Sequence, residues 1–225
     1  LQELFVGGVF VASDISGNEK GGTKKEGRKE RRRKELLSAA WELFGEKGFD
    51  ATTIDDITQG VGVSHGTFYV YFSSKEEVLQ QLGQELLEDM LAFARDMLSR
   101  KEFSPQERLF RMVKHLLAFH EGQEFRMDLH NIIHRKMHDR LVEEGRRLFL
   151  PLVISLLREG VASGQMHLSH PEETAVFLVM LLAELEHSMD LWKDAASRQR
   201  AGKALRELLI RTLGGEDHVF PEPLL

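Results

Sequence analysis

The stretch from Thr53 to Phe72, TIDDITQGVGVSHGTFYVYF, leaves this chain few ways to fold. Thr53 stands three residues ahead of Asp56, the spacing of a capping box, and Ile54, Ile57 and Val61 then recur as the buried stripe of a short helix. Gly62 breaks that helix. Ser64 is placed to cap a second short one, which carries Phe68 and Phe72 four residues apart on one side. Upstream, Leu37, Ala40, Trp41 and Phe44 keep helical spacing, and Gly48 falls where a left-handed C-terminal cap is expected. Three helices, the last two joined by a tight Gly-containing turn, form a helix-turn-helix. A unit this small must bury large rings, so Phe68 and Phe72 are expected to face inward.

His65, Gly66, Thr67 and Tyr69 are then left near the start or on the outer side of the last helix. The first residues of such a helix reach base edges in the major groove, and its free N–H groups suit a phosphate. Gly66 lets the backbone approach closely, while Tyr69 and Tyr71 offer hydroxyls to phosphate oxygens; the alternative for each Tyr is half-buried packing with a wet tip.

Charge distribution supports a nucleic-acid partner although the total does not. The chain carries a net charge of −6, yet from Lys24 to Lys34 eight Lys/Arg face only Glu26 and Glu30, a local balance of 8 − 2 = +6. A basic arm beside a helical module is an electrostatic footprint for phosphate, although such runs are often solvated tails.

The longer segment TTIDDITQGVGVSHGTFYVYFSSKEEVL, Thr52 to Leu79, resembles the DNA-binding signature of the tetracycline-repressor (TetR) family of bacterial transcriptional regulators. The likeness rests on the Thr before the second helix, the Gly-Val-Ser turn, the Gly-Thr-Phe-Tyr-x-Tyr-Phe run and the Ser-Lys-Glu that opens a long helix. It is strong over about residues 31–79, and the remainder is similar in helical layout and length alone. The resemblance implies that Thr53, Ser64, Thr67, Tyr69, Tyr71 and Lys75 contact the DNA backbone, with His65 and Gly66 at or near the bases. Arg28, Arg31, Arg32, Arg33 and Lys34 would add phosphate or minor-groove contacts from an arm of a kind that can be disordered without DNA. His65 stands where Lys or Arg is common in the family, so a modest pH dependence of DNA affinity is expected.

Helical patterning continues to the end of the chain, and no stretch alternates as a strand. Leu79, Leu82, Leu86, Met90, Phe93 and Met97 form the stripe of a long fourth helix behind a Ser74 to Glu77 capping box. Ser104, Pro105 and Glu107 open another. Further helices are expected over 125–137, 139–163, 171–192 and 196–213, with Pro151 kinking or dividing the one it lies in. The fold class is therefore all-α: an N-terminal three-helix head plus a C-terminal helical body for ligand binding and dimerisation. In residue terms, 1–27 is a disordered or added segment, 28–73 the DNA-binding domain, 74–215 the regulatory and dimerisation domain, and 216–225 a tail.

The last two helices are apolar on more than one side, so each has a second face to bury. By resemblance they pair across a twofold axis into a homodimer, with Phe177, Met180, Leu181, Leu205, Leu208 and Leu209 at the interface. A palindromic operator on double-stranded DNA requires such a pair, its recognition helices roughly 34–36 Å apart.

What such a regulator would sense is a separate question. His130, His134 and His138 fall near one helical face, and Glu184 with His187 makes a Glu-x-x-His pair, the i, i+3 arrangement of metal sites in helix bundles. His130, His134, Glu184 and His187 are thus candidate ligands for iron, zinc or manganese, with His115 and His120 in reserve, and the expectation is a metal-controlled regulator. The bland reading is that ten histidines produce spaced pairs by chance; the alternative effector is an organic, apolar or acyl-type ligand, for which histidines would serve as hydrogen-bonding groups.

Other classes fit less well. A di-metal oxidase needs two Glu-x-x-His motifs and two further glutamates, and one such motif is present. No cysteine is available for disulfides, thiolate catalysis or Cys-built zinc sites, and no P-loop, dinucleotide fingerprint or Gly-x-Ser-x-Gly elbow occurs, so no catalytic residues are assigned. An acyl-chain carrier would explain the apolar helices but leave the turn signature idle. No apolar run reaches the roughly 18 residues that span a bilayer, so a cytoplasmic protein is expected.

Overall fold

The computed structural model describes residues 24–121, 135–187, 192 and 194–214. Among these the chain is all-α: α1 (Lys24–Lys47), α2 (Ile54–Val61), α3 (His65–Phe68), α4 (Lys75–Ser99), α5 (Pro105–Glu121), α6 (Arg135–Ala162), α7 (Pro171–His187) and α8 (Ala195–Leu213). Two compact units part between Leu82 and Gly83.

In the first unit, Leu36, Leu37, Ala40 and Phe44 of α1 enclose Ile57 of α2 together with Phe68 and Phe72, each at most 2% exposed. Burying an aromatic ring of this kind contributes about 1.5–3 kcal/mol, so the two Phe of the turn segment hold the unit together as the sequence predicts. α1 stops at Gly48, whose φ of 83° is the left-handed conformation that a Cβ disfavours. The loop beyond is fixed by Thr52, 1% exposed, whose hydroxyl donates to the Gly48 carbonyl at 2.7 Å.

The basic run is placed differently from expectation. Lys24 to Lys34 forms the first turns of α1 and is no separate arm, because Glu30 and Glu35 lie three and four residues from Arg33 and Arg31 and support helix.

The second unit packs α5, α6, α7 and α8 with the later part of α4 around Met97, Leu109, Phe110, Val113, Leu156, Leu157, Ala175, Leu178, Leu205, Leu209 and Leu213. α5 opens on the predicted box: the Ser104 N–H donates to the Glu107 carboxylate at 2.9 Å and the Glu107 N–H to the Ser104 hydroxyl at 3.2 Å. α8 opens on another, between Asp194 and Ser197. The helix expected over 139–163 is α6, which begins at Arg135 and runs through Pro151 without division; a proline loses one backbone bond, and the apolar packing of Val153, Leu156 and Leu157 outweighs that loss. The helix expected over 171–192 is α7, of which 188–191 lie outside the described residues, as does most of the helix expected over 125–137. Among the described residues no helix is long and apolar enough to cross a membrane.

Candidate nucleic-acid interface

α2 is set by its capping box. The Thr53 N–H and hydroxyl both donate to the Asp56 carboxylate, at 2.7 and 2.6 Å, and the Asp56 N–H returns a bond to the Thr53 oxygen at 3.1 Å. Lys47 adds an ion pair to Asp56 at 2.7 Å. The ammonium of Lys47, followed by the Thr53 bonds, holds the Asp56 carboxyl well below the usual carboxylate range. The helix ends on Gly62 at φ 69°, a left-handed cap that turns the chain out of α2 ahead of α3.

α3 is a single turn. Ser64 makes no side-chain bond to its backbone; the Ser64 hydroxyl instead meets the Thr67 hydroxyl at 2.8 Å. Short Ser and Thr side chains this close satisfy one another, which corrects the expected cap. Phe68 is fully buried and its ring meets Phe72 at 5.7 Å, while Tyr69 is 52% and Val70 64% exposed. His65, Ser64 and Gly66 are exposed, Thr67 and Tyr71 half-buried. The turn therefore divides its residues as the sequence reading requires: rings inward, and a face carrying His65, Gly66 and Tyr69 outward.

Two relationships on this face were beyond sequence reasoning. The Nδ1 of His65 bonds to the carboxylate of Asp55 on α2, and the His65 ring lies 5.4 Å from that of Tyr69. Lys75, expected on a phosphate, instead points its ammonium at the α1–α2 loop, donating to the carbonyls of Phe49 at 2.5 Å and Thr52 at 2.9 Å, with Nζ 4.1 Å from the Phe49 ring centroid. The position of Asp55 in the first turn of α2 was the one signal for its role, and nothing local announces a bond ten residues ahead.

On α1, Arg28 and Lys34 are exposed. Arg31 and Arg32 pair with Glu35 at 3.6 and 2.7 Å, and Arg33 with Glu30 at 3.8 Å, its guanidinium also 5.5 Å from the Phe72 ring centroid. Ion pairs this exposed are each worth a few tenths of a kcal/mol to about 1.

In the second unit, Phe177 (70%), Met180 (49%), Leu181 (37%) and Leu208 (47%) are exposed apolar residues on α7 and α8. Leu205 (7%) and Leu209 (1%), expected beside them at an interface, are buried in the core of their own unit, because α8 turns that stripe inward. Of the candidate metal ligands, His130 and His134 lie outside the described residues, as do the side chains of His120 and His187; Glu184 is exposed on α7. His115 stacks on Phe93 with ring centroids 3.9 Å apart, a packing role. Among the described residues no group of three or more His, Cys, Asp or Glu could hold a metal ion.

Residues 36–82 match the family model of bacterial regulatory proteins, tetR family. Over 75 residues, 33% of this chain, the sequence is 40% identical to the HTH-type transcriptional repressor KstR2 of Mycobacterium tuberculosis; the match takes in 37% of that relative's length. The fold is similar to a crystal structure of the transcriptional regulator FadR from Bacillus subtilis in complex with stearoyl-CoA, with TM-score 0.60 and 20% identity over 78% of this chain and 96% of that one. It is likewise similar to RolR in complex with resorcinol, with TM-score 0.55 and 21% identity over 88% and 97%.

Proposed function

The chain belongs to the TetR family of bacterial regulatory proteins, and from that premise we propose that it is a homodimeric repressor whose affinity for a palindromic operator is controlled by an organic ligand held in its C-terminal helical body. The observation that carries this reading is the division of the turn segment, in which buried Phe68 and Phe72 support an outward face of His65, Gly66 and Tyr69. Residues 28–73 act as the head and 74–215 as the body. Tyr69, Tyr71, Thr67 and the exposed Arg28 and Lys34 position the head on phosphates, while His65 and Gly66 lie at the bases. Lys75 acts at one remove, by holding the loop ahead of α2.

An organic effector is supported over a metal by the ligands of the two structurally similar regulators, stearoyl-CoA and resorcinol. A dimer is supported by Phe177, Met180, Leu181 and Leu208, four apolar side chains open on two neighbouring helices in sequence. Repression of transcription places the protein in the cytoplasm with the chromosome. Linkage then requires that a ligand which weakens operator binding be itself weakened by the operator to the same factor.

The test is a selection from randomised duplex DNA with the purified chain, followed by titration of the selected site across salt concentrations. Log affinity should fall linearly with log salt as phosphate contacts are displaced. Loss of the reading would come from duplex binding that is absent or indifferent to salt. Long-chain acyl-CoA and small phenols are the first ligands to add, with release of the selected duplex as the readout.

A further inference from the structure

The bond between His65 and Asp55 does more than join two helices. A carboxylate is acceptor-only, so the proton it receives must sit on Nδ1 of the imidazole. That fixes the tautomer of the neutral ring and leaves Nε2 bare, an acceptor. The same bond, together with the Tyr69 ring 5.4 Å away, limits how the imidazole can turn. Its outer edge stays open: the His65 side chain is 51% exposed, and a Cβ added to the adjacent Gly66 would meet nothing within 4 Å.

An acceptor held at a fixed point reads bases in one sense. In the major groove adenine N6 and cytosine N4 present amino donors, whereas guanine N7 and O6 are acceptors. We infer that Asp55 is a specificity-positioning residue: by accepting the Nδ1 proton it presents the Nε2 of neutral His65 to an adenine or cytosine amino group at one position of each half-site. The ionisable groups against the ring are Asp55, from α2, and Tyr69, from the segment after α3. A carboxylate on a DNA-facing surface, otherwise repelled by phosphate, thereby has a use.

This inference rests on the proposed reading of the head as a DNA reader. It is tested by selection from randomised duplexes with the full chain, comparing wild type with Asp55→Ala, Asp55→Asn and His65→Gln. The wild type should favour adenine or cytosine by up to about tenfold at one position per half-site, a single acceptor falling at the lower end of what a bidentate base contact discriminates. Asp55→Ala frees the other tautomer and should flatten the preference at that position alone, whereas Asp55→Asn, whose amide oxygen still accepts the proton, should retain it. An unchanged profile in Asp55→Ala or His65→Gln, or an even change at every position, overturns the inference. Those failures are distinct from failure of the regulator reading, which would show as a wild-type chain that selects no site and binds duplex without salt dependence.

Discussion

Arg108 and Glu159 meet in a two-pronged ion pair, Nη2 to Oε1 at 2.6 Å and Nη1 to Oε2 at 3.2 Å, with the arginine side chain 1% exposed and the glutamate 35%. Arg108 also donates to the Leu98 carbonyl at 3.2 Å, and Lys101 reaches the same carboxylate at 2.8 Å, so one cluster joins α4, α5 and α6 within the second unit. Removing the carboxylate strands a buried guanidinium. Glu159→Gln is expected to cost about 2–3 kcal/mol, less than for a fully buried pair because the glutamate keeps part of its surface in water. The double change Arg108→Met with Glu159→Leu should cost less than Glu159→Gln alone, since it removes both charges. Urea unfolding of the three proteins decides; equal losses in the single and double variants would contradict the account.

The same carboxylate predicts how the body responds to acid. Bonds from Arg108 and Lys101 lower the Glu159 pKa from 4.5 to about 2. A depressed carboxylate contributes its stability fully above the unfolded value and loses it as pH falls towards the folded one. Stability should therefore decline between about pH 4.5 and pH 2 by protonation of this group, and that share of the slope should vanish in Glu159→Gln. Unfolding midpoints measured down this range would refute it if both proteins lose stability in parallel.

Gly60 lies inside α2, where glycine costs about 1 kcal/mol relative to alanine. A Cβ at this position would meet the Ala39 Cβ at 3.6 Å, ordinary van der Waals contact. Gly60→Ala should raise the stability of the first unit by about 0.5–1 kcal/mol. A lower thermal midpoint in calorimetry would mean that the contact with α1 is tighter than it stands.

Phe177 is 70% exposed and has Met180 and Leu181 one turn along α7. If this face joins two copies, Phe177→Glu places a charge in the seam without touching the core of the unit. Light scattering should then give the monomer mass for Phe177→Glu and twice that mass for the parent chain. A parent chain that is already monomeric at micromolar concentration would remove the dimer.

What could be read in the sequence was local. The Thr53–Asp56 box, the left-handed Gly48, the break at Gly62 and the inward Phe68 and Phe72 each follow from residues within four of one another, where propensity and capping chemistry decide. Capping at α4 shows where that reach ends: the Glu77 N–H does bond to the Ser74 hydroxyl at 3.2 Å, but its carboxylate goes back to the N–H and hydroxyl of Ser73, both at 2.6 Å. Leu205 and Leu209 were misassigned because a helix apolar on several sides does not say which side meets its own core. Lys75 and Asp55 were misread or missed because their partners lie 26 and 10 residues away, and only the packed turn brings them together.

The arginines at the start of α1 are already engaged, Arg31 and Arg32 with Glu35 and Arg33 with Glu30. Gripping a phosphate is for them an exchange of one anion for another, and the gain is the difference between the two. On the proposed reading, arbitrary duplex, which offers phosphates and nothing else, would be held the more briefly for it. On the same reading, such a chain would scan quickly, and its dwell time would lengthen only where His65 and Gly66 also found their match.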